Sequence, residues 1–187
     1  MVAMTNEVIG LPRGRSLTRA DLDAMPDDGH RYELIDGLLV VSPAPRPVHQ
    51  RAIGNVYIAL RAQCPPDLEA LFAPLDVALS DDTVMQPDLL VGRRNDFTTR
   101  DLPVAPILAI EVLSPSTRAY DLLLKKDRLQ RAGCQHYWVV DPDIPAITAW
   151  ALRDGAYTEV ATVAGDGVLT VTEPYEISLV PTALIAD

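Results

Sequence analysis

The sequence predicts an α/β domain, and two observations carry that prediction. Residues 107–113 are apolar at nearly every position. Because strand side chains alternate between two faces, this strand would be covered on both faces. Residues 48–63 instead repeat apolar side chains at helical spacing. A chain of 187 residues, 48% of them hydrophobic, is long enough to bury a core between such elements.

The chain is expected to begin with an irregular leader over residues 1–17, followed by one domain over residues 18–187. Thr18 is a plausible N-cap for a short helix, with Asp21 completing a loose capping pattern. No internal repeat or linker divides the rest of the chain. Short strands follow the helix of residues 48–63, at 70–73, 75–79 and 87–91. After the strand at 107–113 we expect a helix at 118–132, a strand at 136–140, and hairpins or a meander from the runs at 146–152, 156–163 and 168–171.

The Asp-Gly pair at 36–37 is a strong hairpin signal, because it lies between two apolar runs. A two-residue turn there pairs Ile35 with Leu38 and brings Glu33 opposite Val40. Glu33 then shares a face with apolar side chains.

The composition restricts the function classes. The net charge is −10, and residues 46–131 are neutral with 11 basic and 11 acidic side chains. Strong non-specific DNA binding is therefore not expected.

No apolar run is long enough to span a membrane, and residues 1–10 lack a secretory pattern. Cys64 and Cys134 are expected as two buried free thiols in a cytoplasmic protein, or as a single disulfide.

Three acidic residues fall on apolar strands. Glu111 interrupts the strand at 107–113, Asp88 begins the apolar run at 87–91, and Glu33 lies in the hairpin. A lone buried carboxylate costs several kcal/mol unless a cation meets it. Lys125 lies nearby in sequence on the next helix, so these residues predict a metal-dependent site that hydrolyses phosphodiesters.

Each residue also has an ordinary structural explanation. Glu111 could be satisfied by a core arginine or backbone amides, and Asp88 could simply be the residue that starts a strand after Pro87. Glu33 could pair with Arg31 or cap a neighbouring element. Lys125 could form a helical ion pair with Asp121, four positions away.

Three further residues are candidates for substrate binding. Arg118 and Lys126 belong to a local basic surplus that could contact phosphate, and His49 opens a helix after a proline-rich turn. Lys126 would point about 100° away from Lys125 on an ideal helix. A solvated helix face and a core or capping histidine are the alternatives.

An ordered series of motifs resembles the Uma-type restriction endonuclease family of the PD-(D/E)XK nuclease superfamily. The motifs are Tyr32-Glu33-Leu34-Ile35-Asp36-Gly37, His49, Pro87-Asp88, Glu111-Val112-Leu113-Ser114-Pro115-Ser116-Thr117, Asp121, Lys125, Gly133 and Tyr137-Trp138-Val139-Val140-Asp141-Pro142. The resemblance covers roughly residues 18–145. It implies a restriction-endonuclease-like core, with a central mixed sheet flanked by helices and a magnesium-type metal site.

The resemblance also assigns roles to individual residues. Asp88 falls on the superfamily aspartate, Glu111 on the second acid, and Glu33 on a glutamate that often precedes them. The superfamily lysine usually lies two residues after the second acid, where this chain has Leu113. The resemblance places that role on Lys125 in the following helix.

The leading hypothesis is therefore a DNA endonuclease that uses Mg²⁺ or Mn²⁺. Asp88 and Glu111 would bind the metal, and Lys125 and Glu33 would complete the catalytic set. The alternatives are a non-catalytic binding or assembly module that retains the fold, and a metal hydrolase of small phosphate esters. A homodimer is expected, because cutting two strands commonly uses two domains. The absence of a Gly-rich phosphate loop, a Ser-His-Asp arrangement and zinc-ligand spacing leaves other chemistries unsupported.

Overall fold

Two main β-sheets, of six and four strands, organise the fold, beside a third sheet of only two strands. The computed structural model describes Pro12 and residues 14–186, so most of the predicted leader lies outside the described residues. The strands are β1 (Arg31–Ile35), β2 (Leu38–Ser42), β3 (Leu68–Phe72), β4 (Val77–Ser80), β5 (Thr83–Met85), β6 (Leu89–Arg93), β7 (Leu108–Val112), β8 (His136–Asp141), β9 (Ala146–Arg153), β10 (Ala156–Ala164), β11 (Leu169–Val171) and β12 (Ile177–Leu179). The helices are α1 (Arg19–Asp23), α2 (Pro47–Gln63), α3 (Lys126–Arg131) and α4 (Pro181–Ile185), and a π-helical segment (Tyr120–Lys125) runs directly into α3.

The larger sheet has the strand order β10-β9-β8-β7-β6-β3. β7 and β8 run parallel, and the other neighbouring strands in this sheet are antiparallel. The sheet is therefore mixed and flanked by helices, which confirms the predicted fold class.

The two faces of β7 enter two separate cores, as the sequence predicts. Leu108, Ile110 and Val112 pack with residues of α2 in one core. Ala109 packs on the other side with residues of α3 and the smaller sheet. Strand alternation alone would place Ile107 on the face of Ala109, but Ile107 lies before the strand begins and packs against the α2 core.

The smaller sheet has the order β2-β1-β5-β4 and contains the predicted hairpin. Ile35 pairs with Leu38, and Glu33 pairs with Val40, which confirms the predicted register. Asp36 and Gly37 have φ angles of 48° and 79°. A type I′ turn requires positive φ at both central residues, so the Asp-Gly pair fixes this register locally.

The segment after β7 differs from the regular helix predicted over residues 118–132. Arg118 and Ala119 are α-helical, residues 120–125 are π-helical, and the α-helix resumes at Lys126, so the helix starts where predicted but is not regular. Single π-helical turns inside α-helices often occur at functional sites. Gly133, with φ of 84°, ends the helix as predicted.

The remaining expectations concern the cysteines and the membrane. Cys134 is a buried free thiol, as expected, but Cys64 is also free and only half-buried. The disulfide alternative is therefore wrong. Among the described residues, no helix is long and apolar enough to cross a membrane.

Candidate active site

Four acidic side chains and one lysine meet between the two sheets. Glu33 comes from β1, Asp88 immediately precedes β6, and Glu111 lies on β7. Asp121 and Lys125 both belong to the π-helical segment. All five side chains are at most 3% exposed. The fold thus concentrates ionisable groups in its interior, where they need compensation.

The register between β6 and β7 brings Asp88 and Glu111 together. Leu89 pairs with Ile110 in this antiparallel ladder. Continuing the register by one residue places Asp88 opposite Glu111, so that their side chains share one face. An Asp88 Oδ2 atom accepts a hydrogen bond of 2.9 Å from the backbone N–H of Val112, which fixes the carboxylate there.

Lys125 lies among three of the acids. Its Nζ atom is 3.0 Å from Glu33 Oε1, 3.2 Å from Glu111 Oε1 and 3.7 Å from Asp121 Oδ1. Burial lowers the pKa of Lys125, but the attraction of these carboxylates outweighs burial and raises the pKa above its ordinary value. The ammonium group therefore keeps its charge.

Asp88 lies next to two basic side chains, Arg31 and His49. Arg31 Nη1 lies 3.0 Å from Asp88 Oδ1, and His49 Nε2 lies 3.3 Å from Asp88 Oδ2. Burial raises the pKa of Asp88, but the hydrogen bond from His49 and the charges of Arg31 and Lys125 together hold the pKa well below its ordinary value. Asp88 is consequently ionised and available as a ligand for a cation.

Glu111 and Asp121 have the opposite electrostatic balance. Burial, reinforced by the other carboxylates and opposed by Lys125, raises the pKa of Glu111 well above its ordinary value. Burial likewise raises the pKa of Asp121 to about 6. Neither carboxylate oxygen of Glu111 accepts a hydrogen bond. Glu111 is therefore the least compensated acid of the group.

Glu33 is better satisfied than Glu111. Its Oε1 atom accepts a 2.7 Å hydrogen bond from the backbone N–H of Gln86, and its Oε2 atom lies 3.6 Å from Arg31 Nε. The predicted structural pairing of Glu33 with Arg31 is thus present alongside its contact with Lys125.

The cluster carries an excess of two negative charges when every acid is ionised. Four carboxylates face two cations, Arg31 and Lys125. Mg²⁺ is commonly held by one or two carboxylates together with water and substrate oxygens. The paired acids Asp88 and Glu111, the latter with unused oxygens, fit such a hard cation. Among the residues that the structure describes, no group of three or more His, Cys, Asp or Glu side chains is placed so that it could hold a metal ion.

A cleft of about 860 Å³ leads to the cluster from one side. Arg31, His49 and Asp88 line the cleft, whereas Glu33, Glu111 and Lys125 do not. Asp88 is therefore the acid that borders both the cleft and the buried cluster.

The structure separates the predicted substrate-binding residues. His49 is buried beside Asp88 at the cleft wall. Arg118 Nη1 instead lies 2.6 Å from Asp141 Oδ2, and Lys126 Nζ lies 3.6 Å from the centre of the Trp150 ring. The structure thus brings Lys125, rather than Lys126, to the acids.

Several residues of the site were missed or regarded only as structural partners. Arg31 contacts Asp88, 57 positions away in sequence. Thr117 Oγ1 donates a 2.7 Å hydrogen bond to Asp121 Oδ2, and the Tyr137 hydroxyl donates a 2.6 Å bond to the Asp121 carbonyl. The sequence offered one indication that Arg31 belongs to the site: Arg31 and Glu33 are two positions apart on a strand, so their side chains share a face.

The comparisons with known proteins agree with this architecture. The Uma2 family model, described as "Putative restriction endonuclease", matches residues 19–182. A solved structure described as a putative nuclease belonging to DUF820 from Anabaena variabilis ATCC 29413 is similar, with a TM-score of 0.69. It is 18% identical, and the match covers 90% of this chain and 97% of that chain. At this identity the likeness shows the fold.

The comparison with curated proteins found no match. The family model nevertheless spans most of the chain, which confirms the resemblance found in the sequence motifs. The chain belongs to the Uma2 family, whose description is putative restriction endonuclease.

Proposed function

We propose that this protein is an endonuclease that hydrolyses DNA phosphodiester bonds with Mg²⁺ or Mn²⁺ held by Asp88 and Glu111. One observation carries the proposal. Glu111 is fully buried opposite Asp88, and neither of its carboxylate oxygens accepts a hydrogen bond. Burying such a group in its ionised form is unfavourable unless a cation joins it, and a divalent cation would neutralise the two excess negative charges that the cluster carries when its four acids are ionised. The family description supports the reaction class.

A bound divalent cation would lower the pKa of an attacking water and neutralise charge on the phosphate. Lys125 has a different role from a general base, because its raised pKa keeps it protonated. Its ammonium group can donate hydrogen bonds and stabilise developing negative charge. Glu33 holds one side of this ammonium group at 3.0 Å and thereby positions it.

His49 is the proposed contact with the substrate at the cleft wall. Its Nε2 atom is oriented by Asp88, and the side chain is nearly buried. Arg118 and Lys126, which the sequence also suggested for substrate binding, have other partners and would serve only DNA outside the cleft.

The lining of the cleft favours a second candidate, a hydrolase of small phosphate esters. Asp23, Asp27 and Asp76 line the cleft together with Arg31 and Arg46. This lining is not the basic surface expected for tight binding to a long phosphate backbone. A small ester would need only the inner part of the cleft.

Cleavage assays with Mg²⁺ or Mn²⁺ separate these candidates. Plasmid DNA, single-stranded DNA and bis(p-nitrophenyl) phosphate would be compared as substrates for the wild type, Asp88→Asn and Asp36→Asn. The Asp36 carboxylate lies in the exposed hairpin turn and pairs with Arg128 and Arg131 outside the buried cluster, so Asp36→Asn is a matched control. DNA cleavage that only Asp88→Asn abolishes would support the endonuclease. Turnover of the small ester alone would favour the second candidate. Turnover of neither substrate, without binding of Mn²⁺, would favour a non-catalytic module.

We also propose a homodimer, because nuclease domains that cut both strands of a duplex commonly pair and two-fold dimers are the commonest oligomers. Light scattering of the purified protein would test this directly. A monomer at all concentrations, with and without DNA, would contradict it.

A further inference from the structure

Arg31 is the cation that joins the buried cluster to the cleft. Its Nη1 atom lies 3.0 Å from Asp88 Oδ1, and its Nε atom lies 3.6 Å from Glu33 Oε2. The Arg31 side chain is 25% exposed and lines the cleft, whereas both of its partners are at most 3% exposed. Arg31 can therefore change partners without disturbing the core.

Lys125 differs from Arg31 in this respect. Its side chain is 2% exposed, and three carboxylates surround its ammonium group. Lys125 belongs to the π-helical segment and does not line the cleft. Of the two cations, Arg31 is the one placed to leave the cluster.

The contacts of Asp88 indicate which oxygen a metal would use. Oδ2 accepts the backbone hydrogen bond from Val112 and faces His49. Oδ1 is the atom that Arg31 holds. A cation bound between Asp88 and Glu111 would compete with Arg31 for Oδ1, and the two positive charges would repel each other.

We propose that Arg31 is an exchanging cation that holds Asp88 before the metal arrives and then turns into the cleft to bind the substrate phosphate. This inference rests on the proposed metal site. An arginine released from a carboxylate retains its planar set of donors, which suits phosphate oxygens in the same way. The exchange replaces one anionic partner of Arg31 with another, so its charge stays paired.

The exchange predicts that metal and phosphate assist each other's binding. Without phosphate, metal binding must displace Arg31 from Asp88 and leave it with only the more distant Glu33, whose Oε2 atom lies 3.6 Å from Arg31 Nε. With phosphate present, the displaced arginine gains a new partner. Thermodynamic linkage requires the two effects to be equal in both directions.

Arg46 offers a matched control. It lines the same cleft, but its Nη2 atom lies 2.8 Å from Asp143 Oδ2 at an exposed site. Removing Arg46 therefore takes one positive charge from the cleft without freeing Asp88.

The test is calorimetric titration of Mn²⁺ into the wild type, Arg31→Gln and Arg46→Gln, each with and without excess dimethyl phosphate. Dimethyl phosphate is the simplest phosphodiester, so it serves as the probe. In wild type we expect phosphate to tighten Mn²⁺ binding roughly tenfold, within the usual range for coupled sites. Arg31→Gln should bind Mn²⁺ alone roughly tenfold more tightly and lose most of the phosphate effect. Arg46→Gln should change the affinity for Mn²⁺ alone by less than about twofold.

Two results would overturn the inference in distinguishable ways. If Arg31→Gln binds Mn²⁺ alone with wild-type affinity and keeps the phosphate effect, the exchange is wrong while the metal site stands. If no protein binds Mn²⁺ under any condition, the proposed metal site itself is wrong.

Arg31→Lys covers the case in which Arg31→Gln does not fold. Lysine keeps a positive charge for Asp88 but lacks the planar pair of donors. We expect this variant to fold and to show at most half of the wild-type phosphate effect, expressed as a fold-change. An unchanged phosphate effect in Arg31→Lys would overturn the exchange.

Discussion

Replacing Glu111 with glutamine should stabilise the metal-free protein while removing its response to metal. Glu111 is fully buried, and its oxygens accept no hydrogen bond. Keeping an ionised carboxylate in such a place costs several kcal/mol. The compensating attraction of Lys125, 3.2 Å away, is about 5 kcal/mol at an effective dielectric constant of about 20.

The direction of the Glu111 pKa shift decides between these opposing contributions. Burial and the neighbouring acids raise the pKa, so the site as a whole disfavours the charge. An acid whose pKa is raised on folding destabilises the protein progressively as the pH rises from its unfolded pKa through its folded pKa. We therefore expect Glu111→Gln to raise the free energy of unfolding by about 1–3 kcal/mol at about pH 8, with a smaller gain near pH 5.

The assay is urea unfolding with a chelator and then with excess Mn²⁺. A ligand present at about 100 times its Kd should stabilise the wild type by about 2.7 kcal/mol. Glu111→Gln should gain less than about 0.5 kcal/mol from Mn²⁺, because it has lost one of the two proposed ligands.

Asp101→Asn is the control for this experiment. Asp101 is also buried, but its carboxylate accepts a 2.7 Å hydrogen bond from Thr98 Oγ1 and pairs with Arg19. The control should lose about 1–3 kcal/mol and respond normally to Mn²⁺. If Glu111→Gln also loses stability and still responds normally to Mn²⁺, then Glu111 is a structural partner of Lys125 and our reasoning is wrong.

The other predictions concern single groups around the site. Lys125→Met should lose about 3–5 kcal/mol of unfolding free energy in chemical denaturation because three acids lose their cation. Lys126→Met should lose less than about 1 kcal/mol of unfolding free energy in the same experiment. Equal losses in the Lys125 and Lys126 variants would contradict the idea that only Lys125 compensates the buried acids. Burial raises the pKa of Asp121 to about 6, so wild-type stability should fall progressively as pH rises from about 3 to about 7, with Asp121 contributing about 3 kcal/mol in all. Unfolding curves of Asp121→Asn across this range should lack that contribution, and an unchanged slope would refute the assignment. Gly37→Ala should lose about 1–3 kcal/mol in a thermal melt, because φ is 79° and the new Cβ would lie 2.6 Å from Ser16 Cβ. A loss below about 0.5 kcal/mol would show that the turn adapts.

Local chemistry made some of this fold predictable from the sequence. The Asp-Gly turn determines the hairpin register through its own backbone angles, so Glu33 could be placed opposite Val40 without knowledge of the rest of the chain. The alternation of strand side chains likewise predicted two apolar faces around Glu111. Both predictions depend on neighbours within a few residues.

Long-range packing decided the partners of the charged groups. Alternation places Glu111 on a face, but the β6–β7 register brings Asp88 opposite it. No local pattern predicted the π-helical segment, which contains both Asp121 and Lys125. Arg118 and Lys126 found partners on β8 and β9 that no local pattern indicates.

The sequence by itself determined which residues could bear the chemistry, because a carboxylate on an apolar strand face is unusual wherever that strand packs. Only the tertiary structure decided that Arg31 pairs with Asp88 at the cleft. It also decided that Lys125 lies among the three other acids of the cluster. The physical reason is that burial follows from periodicity along the chain, whereas the compensation of a buried charge depends on elements that meet only after the chain folds.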